Sequence, residues 1–182
     1  VNAIVSVDQN WGIGRQGNLL MRIPEDMAFF KAKTMGHVVI MGRETMLSLP
    51  RQEPLMGRVN LVLSRSLREE DVPGFRICRS LDDLFRVLAR EREDQGYDRC
   101  DQECDKHRDY KHRENFVIGG EAVYKLLLPY CHRAYVTKIA CAYQADRFFP
   151  NLDEDLSWSL CEEGDTRYYD TLAFRYSVYS KK

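Results

Sequence analysis

The stretch HVVIMGRETMLSLP, residues 37–50, decides the architecture. Its first half, HVVIMG, is short, apolar and β-branched, the pattern of a strand covered on both faces. Its second half, RETMLSLP, opens a short helix at the strand's end, and Pro50 stops it. A buried strand that feeds directly into a helix is half of a βαβ unit, so a mainly parallel sheet is expected, with helices packed on it. The junction also has chemistry. Free backbone N–H groups at a helix start attract anions, and the Arg43 guanidinium and Thr45 hydroxyl would strengthen that attraction. Taken alone, the arginine reads more readily as a surface charge.

Outward from there, the pattern repeats. NAIVSV (2–7), VNLVLSR (59–65), FRIC (75–78), FVIGG (116–120) and RAYVTKIA (133–140) read as further strands. Helices are expected over 24–35, ended by Gly36, and over 121–129, stopped by Pro129. Another follows Ser80, which can cap it with Asp83 three residues on, and Leu81, Leu84, Phe85 and Leu88 form its buried stripe. Alternating segments near 157–162 and 172–180 add antiparallel strands. The predicted fold is one α/β domain over residues 1–182. It has a mainly parallel central sheet of about eight strands, an antiparallel C-terminal strand, and helices on both faces. In such sheets ligands sit outside the carboxyl ends of the strands, where Ser6, Gly42, Thr45, Ser64, Arg65, Gly119, Gly120 and Thr137 fall.

Composition narrows the function classes. A formal net charge of -1, with both signs spread along the chain, offers no basic field for a nucleic acid. VNAIVSVD lacks the charged start of an export signal, and no segment is apolar for long enough to span a bilayer, so a cytoplasmic protein without membrane partners is expected. The six cysteines are scattered through a core-forming sequence and are expected to be reduced thiols. One segment departs from the rest. Residues 90–115 contain no Leu, Ile, Val, Met, Phe or Ala, and read as a polar surface insertion. Cys100, Cys104, His107 and His112 lie inside it, but their spacing matches no usual structural zinc pattern, so no metal site is expected.

The stretch WGIGRQGNLLMRIPEDMAFFK, residues 11–31, holds the most distinctive acid. A loop bearing Gly12, Gly14 and Gly17 leads to Pro24, which fits the first turn of a helix and puts Glu25 and Asp26 in that turn. Complementing the helix dipole is explanation enough for Glu25. Asp26 stands four residues from Phe30 and beside Met27, so one carboxylate borders an apolar face. On its own it too reads as a dipole partner.

The pieces, taken in order, resemble the dihydrofolate reductase family over nearly the whole chain outside the insertion. They are GIG (12–14), IPEDM (23–27) with Phe30, VVIMGRET (38–45), RVNLVLSR (58–65), VIGGEAVY (117–124), YVTKI (135–139) and ADRFFP (145–150). The resemblance implies NADPH-dependent reduction of dihydrofolate, antifolate binding, and a monomer. It makes Asp26 the catalytic carboxylate that holds the pterin and promotes its protonation, with Thr137 holding the acid. It puts Met21, Met27, Phe30, Leu55 and Ile118 against the substrate and pairs Arg58 with the substrate's α-carboxylate. On the cofactor side it implies Ser6, Ile13, Gly14, Ile118 and Tyr124 near the nicotinamide. Gly42, Arg43, Glu44, Thr45, Ser64 and Arg65 fall near the adenine nucleotide, and Gly119, Gly120, Glu121, Ala122 and Val123 along the strand-to-helix turn. The glycine pair is one the family joins by a cis peptide. The chain departs from the family at Leu20-Met21, where Pro-Trp is usual, and at Arg147, where a small residue is. Two rival readings are a same-fold reductase of a pyrimidine intermediate in riboflavin synthesis and a non-catalytic NADPH-binding module.

Overall fold

A computed structural model of the chain describes residues 1–93 and 113–182. In chain order the elements are β1 Asn2–Val7, β2 Gly12–Arg15, β3 Asn18–Leu19, α1 Pro24–Thr34, β4 Val38–Gly42, α2 Arg43–Ser48, β5 Val59–Leu63 and β6 Arg76–Cys78. They continue with α3 Leu81–Glu93, β7 Asn115–Gly119, α4 Glu121–Leu127, β8 Arg133–Ile139, β9 Arg147–Phe148, β10 Trp158–Glu163, β11 Arg167–Tyr169 and β12 Leu172–Lys181. The main sheet runs β10-β12-β8-β1-β7-β4-β5-β6, with β11 added beside β12. From β8 to β6 every neighbour is parallel, while β12 is antiparallel to β8, β10 and β11. This is the expected sheet.

Helices cover both faces, and the strand sequences show why. Ala3, Val5, Val7, Val38, Ile40, Leu61, Val117, Ala134 and Val136 point to one face, where Leu84, Val87 and Leu88 of α3 and Val123, Tyr124 and Leu127 of α4 close over them. The alternate residues Val39, Met41 and Val62 point the other way, against Met46 of α2. With both faces covered, neither phase of the strand needs polar residues. Ser80 caps α3 as expected, its Oγ accepting from the Asp83 N–H at 3.1 Å, while the Asp83 carboxylate accepts from the Arg79 N–H at 2.9 Å.

Three expectations need correction. Residues 11–23 are not simply a loop: β2 and β3 form a hairpin, and β9 pairs with β2 to make a separate three-stranded sheet. A two-residue strand has no periodicity to read, and its partner β9 comes from far along the chain. The polar insertion is narrower than 90–115. Residues 90–93 complete α3, where Glu91 is nearly buried between Arg76 at 2.7 Å and Arg113 at 3.1 Å, and Asn115 is a buried part of β7. The third is β11, which pairs with β12 through residues 167–169. Cys100, Cys104, His107 and His112 lie outside the described residues.

The ladder also opens a gap. β1 pairs with β8 along its whole length, but with β7 only at Asn2 and Ala3. Beyond that point Tyr124 of α4 reaches in, its buried hydroxyl donating to the Ile4 carbonyl at 2.7 Å. The carboxyl ends of β1 and β7 are thereby left apart, as ligand sites in open α/β sheets require.

Candidate active site

Asp26 sits at the centre of the open face. Ile23, just ahead of α1, is fully buried, and Pro24 starts the helix over the β1–β8 region. Asp26 is held at both oxygens: Ser6 Oγ on β1 donates to Oδ2, and Thr137 Oγ1 on β8 donates to Oδ1 at 2.6 Å. The two donors are register partners across the sheet, so one helix position addresses two strands at once. The remaining carboxylate lone pairs are left for a ligand.

The helix that carries this acid is poorly covered. Thr34 is its one fully buried residue, Met27 is 43% exposed, and Phe30 is half-buried. An apolar helix face kept from the core is available to a flat apolar ligand. Phe29 instead stacks on Tyr176 of β12, with ring centroids 4.3 Å apart. Burial, then the charges of Asp26 and Glu25, push the Tyr176 phenol up, while Arg167 opposes them.

At the far end of α1, Arg58 is aimed by two contacts. Its Nη1 donates to Thr34 Oγ1 at 3.2 Å and its Nε to the Met56 carbonyl at 3.1 Å, and partial burial lowers its pKa. Thr34 Oγ1 itself donates to the Phe30 carbonyl at 2.8 Å. Leu55 is fixed by the buried Asn60, whose side chain accepts from the Leu55 N–H at 2.9 Å and donates to the Leu55 and Arg58 carbonyls at 3.0 and 2.9 Å. Leu55 and Ile118 both pack on the cluster containing Met41 and Met46. An acid, an apolar wall and an arginine thus line one cleft in sequence.

A second cradle lies where β4 and β7 end. A Cβ on Gly42 would meet Val123 Cγ2 at 2.9 Å, and a Cβ on Gly119 or Gly120 would meet Thr45 Oγ1 at 3.3 or 3.2 Å. Gly119 has φ +125, and the Gly119–Gly120 peptide is cis, as the resemblance implied. Bare backbone at three strand and helix ends fits the close approach of a phosphate-bearing cofactor. Ser64 Oγ accepts from the Ser66 and Leu67 N–H groups, which folds the turn that presents Arg65. Arg79 Nη1 donates to the Arg65 carbonyl at 2.8 Å, placing a second cation beside it. Among the described residues Arg43 makes a 3.5 Å exposed contact with Glu44, worth little in water. Glu121 is tied to Lys125, and this hydrogen bond holds its carboxyl below the usual range.

Between the two cradles, Ser6, Gly12, Ile13, Leu19, Leu20 and Met21 line a small cavity of about 10 Å³. Met21 packs on the Ile23, Ile139 and Phe174 cluster. A cavity of about 270 Å³ adjoins the small one, sharing Val7, Asp8 and Ile139. It is bordered by Lys138 and Arg175, but these already pair with Asp153 at 2.8 Å and Glu163 at 2.9 Å, so it offers no converging unpaired groups.

This geometry agrees with comparison to known proteins, in which residues 1–181 match the dihydrofolate reductase family. The chain belongs to the dihydrofolate reductase family. A dihydrofolate reductase of Bacillus subtilis (strain 168) is 33% identical over all of this chain and 95% of its own length. One from Gallus gallus is 32% identical over all of this chain and 96% of its own length, and one from Drosophila melanogaster 32% over 84% of this chain and 80% of its own.

Against that family frame, sequence reasoning missed Asn60, Thr34, Arg79 and Tyr176. Only Asn60 carried a signal, as the one polar residue within the apolar run VNLVL. Asp8 was also missed. It ties the loop after β1 to that after β8, its Oδ1 accepting from the Asn10 and Gly12 N–H groups and Oδ2 from that of Tyr143. Ser6 was expected beside the cofactor; its hydroxyl is on Asp26.

Proposed function

We propose that this chain reduces 7,8-dihydrofolate to 5,6,7,8-tetrahydrofolate with NADPH, serving folate and one-carbon metabolism. Family membership supports the reading, and one observation carries it: a carboxylate gripped at both oxygens at the edge of an uncovered apolar helix face. The free lone pairs of Asp26 accept the 2-amino group and ring N–H of the pterin, a two-point contact that fixes the ring and favours a proton at N5. Met21, Met27, Phe30, Leu55 and Ile118 flank the pterin and aminobenzoyl groups, and the planar fork of Arg58 receives the α-carboxylate. The same pocket takes antifolates.

NADPH, when bound, supplies the hydride for pterin C6. The Gly42, Gly119 and Gly120 backbone lets its phosphates approach, the turn through Glu121, Ala122 and Val123 carries them, and Arg43, Thr45, Ser64 and Arg65 hold their charge, the 2′-phosphate included. Ile13, Gly14 and Tyr124 border the nicotinamide side. The Leu20-Met21 segment closes the space between the sites and excludes water.

Loss of NADPH absorbance tests the proposal: oxidation dependent on dihydrofolate is expected, and its absence from folded protein would refute it. Asp26→Asn should lower turnover at pH 7 by about 100-fold or more, with the NADPH dissociation constant within about twofold of the parent's. Full activity in that variant would remove the role given to Asp26.

A further inference from the structure

Three hydroxyl residues stand in one row across the sheet. Ser6 on β1 is in register with Thr137 on β8, and Thr137 with Tyr176 on β12. Register partners project to the same face, which here is the face under α1. Asp26 reaches down onto the row and takes one hydrogen bond per oxygen, from Ser6 and from Thr137. Tyr176 does not join them: its ring stacks on Phe29, and its buried Oη has no partner among the described residues.

The torsion that turns a carboxylate about its own axis is broad, so one donor leaves an aspartate free to swing. A donor on each oxygen, from two different strands, fixes the plane. The two lone pairs that remain then face away from the sheet, spaced for a ligand edge that offers two N–H groups. Thr137 alone could not do this.

We propose that Ser6 is a positioning residue for Asp26, holding the second carboxylate oxygen so that the acid meets the pterin edge in one plane. The inference rests on the reading of Asp26 as the substrate-holding carboxylate. It moves Ser6 from the cofactor side of the cleft to the substrate side. The charges of Asp26 and Glu25 both act on Tyr176 of β12, and Glu25 is paired with Arg167 of β11. β1 and β8 each contribute one hydroxyl to Asp26.

The test compares Ser6→Ala and Ser6→Thr with the parent in steady-state kinetics from pH 5 to 10, and titrates methotrexate and NADPH binding by tryptophan fluorescence. Ser6→Ala should lower kcat/KM for dihydrofolate about tenfold across this range. It should weaken methotrexate binding about tenfold and leave NADPH affinity within about twofold. Ser6→Thr should restore the parent profile. If Ser6→Ala does not fold, as judged by circular dichroism, Ser6→Cys removes the strong donor in its place. A profile and methotrexate affinity identical to the parent's would overturn the proposal, as would a loss confined to NADPH affinity. The Asp26→Asn variant separates the two levels of failure. If it is inactive while Ser6→Ala is unchanged, only the role of Ser6 falls; if it is fully active, the reading of the site falls with it.

Discussion

Tyr176 carries a hydroxyl that the fold buries without a partner among the described residues, one strand away from the threonine that holds Asp26. An unpaired buried hydroxyl loses its water and gains nothing in return, a cost of about 1–3 kcal/mol. Its ring, by contrast, is well used against Phe29, and the Arg167 guanidinium lies 5.5 Å from its centroid. Tyr176→Phe keeps the ring and removes the unpaired oxygen. The variant is therefore expected to be more stable by about 1 kcal/mol and to melt roughly 2–4 °C higher. Calorimetry decides it, and a lower melting temperature would mean that the hydroxyl is satisfied in solution. The contrast between Asp26 and Tyr176 explains what could be read at this scale. The place of Asp26 in the first turn was legible because Pro24 fixes where the helix starts, whereas its role came only through the family resemblance. The partners of Asp26 depend on which strands lie side by side, and the unpaired state of Tyr176 depends on what surrounds its tip, neither of which one sequence encodes locally.

Elements were legible where they are long and covered on both faces, as in β1, β4, β5, β7 and β8, whose apolar runs match their observed bounds closely. They were illegible where pairing replaces pattern. β3 and β9 have two residues each and exist through β2 alone. The connection leading into β5 turns at Met56 and Gly57, as the sequence suggests, but its shape is also set by a side chain. Asn60 clamps Leu55 and the Arg58 carbonyl with three hydrogen bonds from a buried strand position. Asn60→Ala would leave the Leu55 N–H and two carbonyls without this partner, and should cost about 2–3 kcal/mol in urea unfolding. Leu55 and Arg58 would lose their aim together. The expected kinetic result is a dihydrofolate KM raised about tenfold with the KM for NADPH unchanged, since the clamp does not touch the β4–β7 cradle. A matched rise in both constants would show instead that the clamp supports the whole fold.

For the whole molecule, the continuous core beneath α3 and α4 makes stability depend on pH in one direction. Cys78 at the end of β6 and Cys131 ahead of β8 are buried in that core, and burial pushes each thiol up to about 11. Burial likewise pushes up the phenols of Tyr124 and Tyr179. In the unfolded chain a thiol ionises near pH 8.5. Below that pH both states keep the proton and these groups do not affect folding. Between pH 8.5 and 11 the unfolded chain releases protons that the folded chain retains, so stability falls as pH rises, and the tyrosines extend the loss to still higher pH. The acid side runs oppositely at Asp153. Burial raises that carboxyl, but hydrogen bonds from Lys138 and Tyr179 outweigh it, so its stabilisation is lost only as pH drops below the usual carboxylate range. The urea midpoint should therefore hold steady from pH 6 to 8 and decline steadily by pH 10.5. Thiol access gives an independent reading of the same core. At pH 8 in native buffer, iodoacetamide should modify the exposed Cys161 and the half-buried Cys141, while peptide mapping finds Cys78 and Cys131 unmodified until urea is added. A flat midpoint through pH 10.5, or labelling of Cys78 and Cys131 at the rate of Cys161, would mean that the core opens far more readily than its packing implies.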